Sequence, residues 1–106
     1  MQINRLDDVR ATRIASGRLY EEFLRTPSMS AGLYELPTGS TDPQQPHAED
    51  ELYHVINGAA TFECDGVRRA IGHGDTIFVA AHAPHRFVDI THDLTLLVVF
   101  APAEPG

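Results

Sequence analysis

The residues of this sequence that are best suited to chemistry are two histidines and one glutamate. His47 lies four positions before Glu51, and His85 follows much later in the chain. Imidazole and carboxylate groups transfer protons and bind divalent metal ions. What these three groups do therefore depends on the elements that position them.

An extended strand around Glu51 would sort the neighbouring residues onto two faces, because side chains alternate along a strand. If the bend after His47 preserves the alternation, one face carries Gln45, His47, Glu51, Tyr53 and Val55, and the other carries Leu52, His54 and Ile56. A buried, unpaired carboxylate is costly. Glu51 therefore requires a cation or a hydrogen-bonding partner if its face is interior.

Strand signals dominate the chain, since short runs of β-branched and aromatic residues alternate with turn residues. They predict eight strands, at about 19–25, 29–36, 51–57, 60–64, 67–71, 76–80, 85–90 and 94–100. Helical periodicity is nearly absent, and only the opening segment, with Ile3, Leu6 and Val9 three residues apart, predicts a helical turn. Eight strands favour an all-β jelly roll.

Two pairs of residues are typical of tight hairpin turns. Asn57-Gly58 and Asp65-Gly66 tolerate the positive φ that such turns demand, and each lies between strand-like runs. They predict consecutive antiparallel hairpins. The segment 38–46 is a loop by composition and leads directly to His47.

The segments around Glu51 and His85 resemble the two signature motifs of the cupin superfamily. The first reads Gly-x5-His-x-His-x3-Glu-x6-Gly, and Gly39–Gly58 keeps every spacing of it; the second reads Gly-Asp-x8-Pro-His and ends at His85. Gln45 stands where the family usually has its first histidine. Asp89 stands where the second motif commonly ends in asparagine.

This resemblance implies an all-β, single-domain cupin, that is, a double-stranded β-helix or jelly-roll barrel. The domain would span 1–106, with its core barrel at about 18–101. Cupins typically hold one divalent ion of iron, manganese, nickel or zinc, so the resemblance implies His47, Glu51 and His85 as ligands, with Gln45 in the fourth position. An amide oxygen is a weaker donor than imidazole, so we expect lower affinity or altered coordination.

The resemblance implies a metalloenzyme acting on a small molecule, dioxygenase-like or isomerase-like. The alternative is a non-catalytic cupin that binds or senses a small ligand. A further possibility is a cupin barrel that has lost its metal. His82 and Tyr53 are the only candidates for proton transfer, although a loop histidine and a core tyrosine are the simpler interpretations. No catalytic residue is assigned.

Composition limits the binding partners and the cellular compartment that we expect for this protein. Fifteen acidic residues against eight basic ones give a net charge of −7, which disfavours nucleic acid and anionic membrane surfaces. The apolar run Leu96–Ala101 is far shorter than the ~20 residues of a membrane-spanning helix. One cysteine and the absence of a secretory signal predict a cytoplasmic protein. The apolar outward face near Leu52 and Ile56 predicts a homodimer.

Overall fold

A computed structural model describes residues 1–43 and 45–105. Within these ranges the chain forms one helix and six strands: α1 (Leu6–Ser16), β1 (Tyr20–Thr26), β2 (Met29–Leu36), β3 (Asp50–Cys64), β4 (Val67–Gly72), β5 (Thr76–Val79) and β6 (His85–Ala101). Every strand pairing is antiparallel. The prediction of an all-β fold is confirmed.

Strand β3 lies at the centre of the sheet and positions most of the candidate site. The strand order is β1-β2-β6-β3-β4, and β5 also pairs with β3. Residues of β3 pair with β6 on one edge and with β5 or β4 on the other, so that Glu51 lies between Phe100 and Val79. The Glu51 backbone is therefore fixed from both sides.

The eight predicted strands are six in the structure, and the hairpin prediction at Asn57-Gly58 is wrong. β3 runs straight through this pair, with register shifts against β6 between Val55 and Thr61. Gly58 has φ 105°, so the extra residues form bulges in a continuous strand instead of a turn. The long partner β6 is continuous too, and it joins the two predicted strands 85–90 and 94–100.

The second turn prediction is confirmed. Asp65 and Gly66 have φ values of 50° and 79° and connect β3 to β4. Both values lie in the left-handed region that a two-residue hairpin turn requires. The chemistry of this turn is local, which is why its sequence signal was sufficient.

Helix α1 is longer than the single turn that the sequence predicts. It ends at Gly17, where φ is 74° and the backbone N–H donates to the carbonyls of Arg13 and Ile14. None of its residues is buried. A helix that packs no apolar face against the sheet needs no regular apolar spacing, so the sequence carries only a weak helical signal. Charged groups hold it instead: Arg10 Nη2 and Arg13 Nε each lie 2.9 Å from the Glu35 carboxylate of β2.

The predicted alternation along β3 is confirmed from Glu51 to Val55. Tyr53 and Val55 are fully buried, whereas Leu52 is 40% exposed. Ile56 is half-buried and lines the same small pocket as Leu6 and Val9 of α1. No helix in the described part of the chain is long and apolar enough to cross a membrane. The homodimer stays a prediction.

Candidate functional site

Glu51 and His85 meet inside the sheet although they lie on different strands. Glu51 is 2% exposed and His85 is 7% exposed. His85 Nε2 lies 2.9 Å from Glu51 Oε1. The inward face of β3 and the first residue of β6 therefore bring together two of the predicted ligands.

The imidazole of His85 is oriented by the backbone. Its Nδ1 lies 2.7 Å from the Ala83 carbonyl oxygen, and because a carbonyl only accepts hydrogen bonds, Nδ1 carries the proton. The Tyr53 hydroxyl lies 3.2 Å from Nε2. Burial acts to lower the pKa of His85, but the Glu51 carboxylate and the Ala83 carbonyl outweigh it, and the pKa is raised.

The Glu51 carboxylate is buried without the donors that a carboxylate needs. Among the residues that the structure describes, none donates a hydrogen bond to Oε1 or Oε2. His85 Nε2 lies 2.9 Å from Oε1, but it can donate a hydrogen bond there only when both ring nitrogens are protonated, because the single proton of the neutral ring is on Nδ1. A buried anion in this state is unfavourable unless a cation accompanies it.

His47 lies in the segment that precedes β3. Its carbonyl oxygen accepts a hydrogen bond of 2.6 Å from the backbone N–H of His82. Its ring packs edge-on against Phe100, with ring centres 4.7 Å apart, and lies 6.3 Å from the ring of His85. His47 Nδ1 is 3.3 Å from Oε1 of Glu104.

His82 lies in the loop before β6 and adopts a backbone conformation that is unusual for a residue with a side chain. Its φ is 68°, a left-handed conformation that glycine adopts without strain. The side chain is exposed. The backbone N–H of His82 donates a hydrogen bond to the carbonyl oxygen of His47. This agrees with its interpretation as a loop histidine.

The predicted ligands are only partly assembled. Glu51 and His85 are in contact, the His47 ring is near them, and Gln45 is exposed in the preceding loop. Across residues 1–43 and 45–105, no three His, Cys, Asp or Glu side chains converge as a ready metal-binding group. The chemistry of the set nevertheless fits a borderline divalent ion, since it combines two imidazoles with a buried carboxylate that lacks donors. The ligand set stays a prediction.

Sequence reasoning missed Asp42, which is 6% exposed in the loop before His47. Its Oδ1 accepts a 2.5 Å hydrogen bond from the Tyr34 hydroxyl, and its Oδ2 accepts a 2.9 Å bond from the Phe87 N–H. The loop is thereby fastened to β2 and β6. An aspartate directly before a proline is typical of a solvated loop, so the sequence carried no signal for this role.

A cavity of about 430 Å³ opens beside His47. Its wall is mainly apolar, and charged groups are confined to a few positions; the lining residues are Arg18, Leu19, Tyr20, Tyr34, Pro43, His47, Val98, Phe100 and Glu104. This volume lies within the range of small-molecule sites. A small molecule in the cavity would contact the imidazole of His47.

Comparisons with known proteins agree with this architecture. The chain is 42% identical over 104 residues to Uncharacterized protein SCO3923 of Streptomyces coelicolor, covering 98% of this chain and 99% of that one. KdgF from Halomonas sp. superposes with a TM-score of 0.71 at 24% identity, over 78% of this chain and 76% of that chain. The DMSP lyase DddQ from Ruegeria pomeroyi superposes with a TM-score of 0.69 at 20% identity, over 95% and 66% respectively.

At these identities the two solved structures are evidence for the fold alone. Another similar structure, from Methanocaldococcus jannaschii, is described as a cupin with a double-stranded β-helix fold. It superposes with a TM-score of 0.71 at 21% identity, over 78% of each chain. The family model of the Cupin domain matches residues 32–100, a range that includes His47, Glu51 and His85. The chain belongs to the cupin family.

Proposed function

We propose that this cupin binds one divalent transition-metal ion and acts on a small molecule that enters the cavity beside His47. The observation that carries the proposal is the Glu51 carboxylate, which is 2% exposed and accepts no hydrogen bond from the described residues. A metal ion next to it would supply the missing positive charge. The neighbouring imidazole of His85 is the second donor that such an ion needs.

Three side chains would hold the ion: His47, Glu51 and His85. His85 is the best prepared of them, because Ala83 already holds the proton on Nδ1 and leaves Nε2 as the donor nitrogen. Gln45 would contribute a weak amide oxygen or orient a water. When bound, the ion would supply Lewis-acid or dioxygen chemistry of the dioxygenase-like or isomerase-like kind.

The chain's own groups would bind the substrate and hold a proton. The apolar wall formed by Val98 and Phe100 would exclude water from the reacting end of the cavity. Tyr53 is fully buried, and its hydroxyl lies 3.2 Å from His85 Nε2. It is the group we favour for proton transfer at this end of the barrel.

Elemental analysis together with metal titration tests this proposal. The chelator-stripped protein should bind one equivalent of Zn²⁺, Mn²⁺, Ni²⁺ or Fe²⁺, and His85→Ala should lose this binding. His92→Ala is a suitable control, because His92 is exposed and lies far along β6 from Glu51. Failure of the stripped wild-type protein to bind any of these ions stoichiometrically would reject the proposal.

A second candidate function is non-catalytic binding of a small ligand. It is favoured by the mainly apolar cavity and by the incomplete convergence of the ligands within residues 1–43 and 45–105. The two functions differ in their need for metal. A fluorescent apolar probe should then bind the cavity equally well with and without chelator. This result, together with no detectable catalytic activity, would support the binding role.

A further inference from the structure

The C-terminal tail returns to the candidate site and is held there by its backbone. After β6 the chain reaches Glu104, whose N–H donates a 3.1 Å hydrogen bond to the Ser30 hydroxyl. The Glu104 carbonyl oxygen accepts a hydrogen bond from the Arg25 guanidinium. Ser30 is fully buried, so the tail is fastened to the interior of β2.

This attachment directs the Glu104 side chain at a predicted ligand. Glu104 Oε1 lies 3.3 Å from His47 Nδ1, and the two side chains are only 28% and 19% exposed. A negatively charged carboxylate attracts an imidazole nitrogen that carries a proton and repels the lone pair of one that does not. The contact therefore favours the His47 tautomer with its proton on Nδ1.

The two histidines of the site are then prepared in the same way. His85 Nδ1 lies 2.7 Å from a backbone carbonyl, and His47 Nδ1 lies beside a carboxylate. In each ring Nε2 is left as the unprotonated nitrogen. Within residues 1–43 and 45–105, no hydrogen bond reaches His47 Nε2, which leaves that atom for an ion.

We propose that Glu104 is a positioning residue that orients His47 for metal binding and makes it a stronger donor. The proposal rests on the metal site put forward above. Carboxylate partners of ligating histidines fix the tautomer and the ring orientation and raise the basicity of the ligand. That assistance matters here because position 45 offers an amide in place of the family's histidine.

The test compares Zn²⁺ affinity in four full-length proteins, measured by competition with a chromophoric chelator. Glu104→Ala removes the acceptor and should weaken binding about 10- to 100-fold, the usual effect of losing an outer-shell partner. Glu104→Gln keeps an oxygen acceptor without the charge and should fall between the wild type and Glu104→Ala. Glu21→Ala removes one negative charge from β1, where the side chain accepts a 3.4 Å hydrogen bond from Ser16, and should bind like the wild type.

Two further readouts separate positioning from other roles. The Co²⁺ absorption spectrum should keep its shape in Glu104→Ala, because a positioning residue is not itself a ligand. A spectrum that reports a changed number of ligands would overturn the positioning role and make Glu104 a ligand. The thermal unfolding of the chelator-treated proteins should coincide; a large loss of stability in metal-free Glu104→Ala would identify a merely structural contact.

The outcomes also distinguish this inference from the function on which it rests. A wild-type protein that binds none of Zn²⁺, Mn²⁺, Ni²⁺ and Fe²⁺ overturns both. A wild-type protein that binds Zn²⁺, with Glu104→Ala binding equally tightly, overturns the role of Glu104 and leaves the metal site intact.

Discussion

His85 Nε2 lies 2.9 Å from Glu51 Oε1, and the two side chains are 2% and 1% exposed. This pair joins the first residue of β6 to the beginning of β3, and it places an imidazole against a carboxylate that has no hydrogen-bond donor in the described chain. Such a pair is stable when the imidazole is protonated or when a metal ion lies next to both groups.

The first prediction concerns the cost of the Glu51 charge. In chelator, at an alkaline pH well above the raised pKa of His85, Glu51→Gln should unfold at a higher urea concentration than the wild type. The gain should be at least about 1 kcal/mol, because the substitution removes a buried anion. Added Zn²⁺ should reverse this order, since only the wild type gains stability by binding it. A Glu51→Gln variant that is less stable than the wild type under both conditions would contradict the prediction.

The second prediction concerns Glu35, where the opposite result is expected. Burial acts to raise the pKa of Glu35, but hydrogen bonds from Arg10, Thr95 and Arg13 outweigh it and the pKa is lowered. A lowered pKa adds stability above the usual value of 4.5, and this stability is lost as the pH falls from there through the lowered pKa. Glu35→Gln should therefore cost about 1–2 kcal/mol at neutral pH.

Urea unfolding of wild type and Glu35→Gln across the acid range measures this effect. The difference between the two proteins should shrink as the pH falls below 4.5, because protonation removes the same charge from the wild type. Helix α1, which carries Arg10 and Arg13, should fray first in the variant. A difference that stays constant with pH would show that the ion pairs contribute nothing.

The third prediction concerns Gly58, the residue of the unexpected bulge. Its φ is 105°, and an added Cβ would meet the backbone of Asp93 and Leu94 on β6. Gly58→Ala should cost about 3 kcal/mol or more, because backbone strain adds to a clash that cannot relax. Gly66→Ala is the matched control, since Gly66 also has positive φ (79°) but open space around it. Equal midpoints of thermal unfolding for the two variants would contradict this explanation of the bulge.

The fourth prediction is the homodimer. Leu52 and Phe78 are directly paired between β3 and β5, and they are 40% and 64% exposed. A second copy of the chain would cover this apolar pair. Light scattering should give a dimer mass for the wild type and a monomer mass for Phe78→Ser. Ile14→Ser, at an equally exposed apolar residue of α1 (62%), should remain dimeric.

The sequence was informative where the physical cause is local or where a motif spacing carries it. The Asp65-Gly66 turn depends on two residues that tolerate positive φ, and the inward face of Glu51, Tyr53 and Val55 depends on strand alternation. Both could be predicted from the chain alone. The motif spacing likewise put Glu51 and His85 into one predicted ligand set, and the structure brings these two side chains within 2.9 Å of each other.

The sequence misled where long-range pairing overrides a local preference. Asn57-Gly58 is a good turn in isolation, but a 17-residue β6 pairs with β3 on both sides of it and converts the turn into a bulge. Helix α1 was underestimated because ion pairs to Glu35 hold it, and ion pairs leave no apolar periodicity. Both errors have the same origin, a partner distant in sequence.

By itself the sequence determined the cupin fold, the hydrophobic alternation and the types of donor that the site can offer, because these depend on spacing and side-chain chemistry. Only the tertiary structure decided which groups support those donors. Asp42 reaches Phe87, and Glu104 reaches His47, across separations that no local pattern encodes. The reason is physical: a polar contact between residues far apart in the chain forms only after the sheet has brought their backbones together.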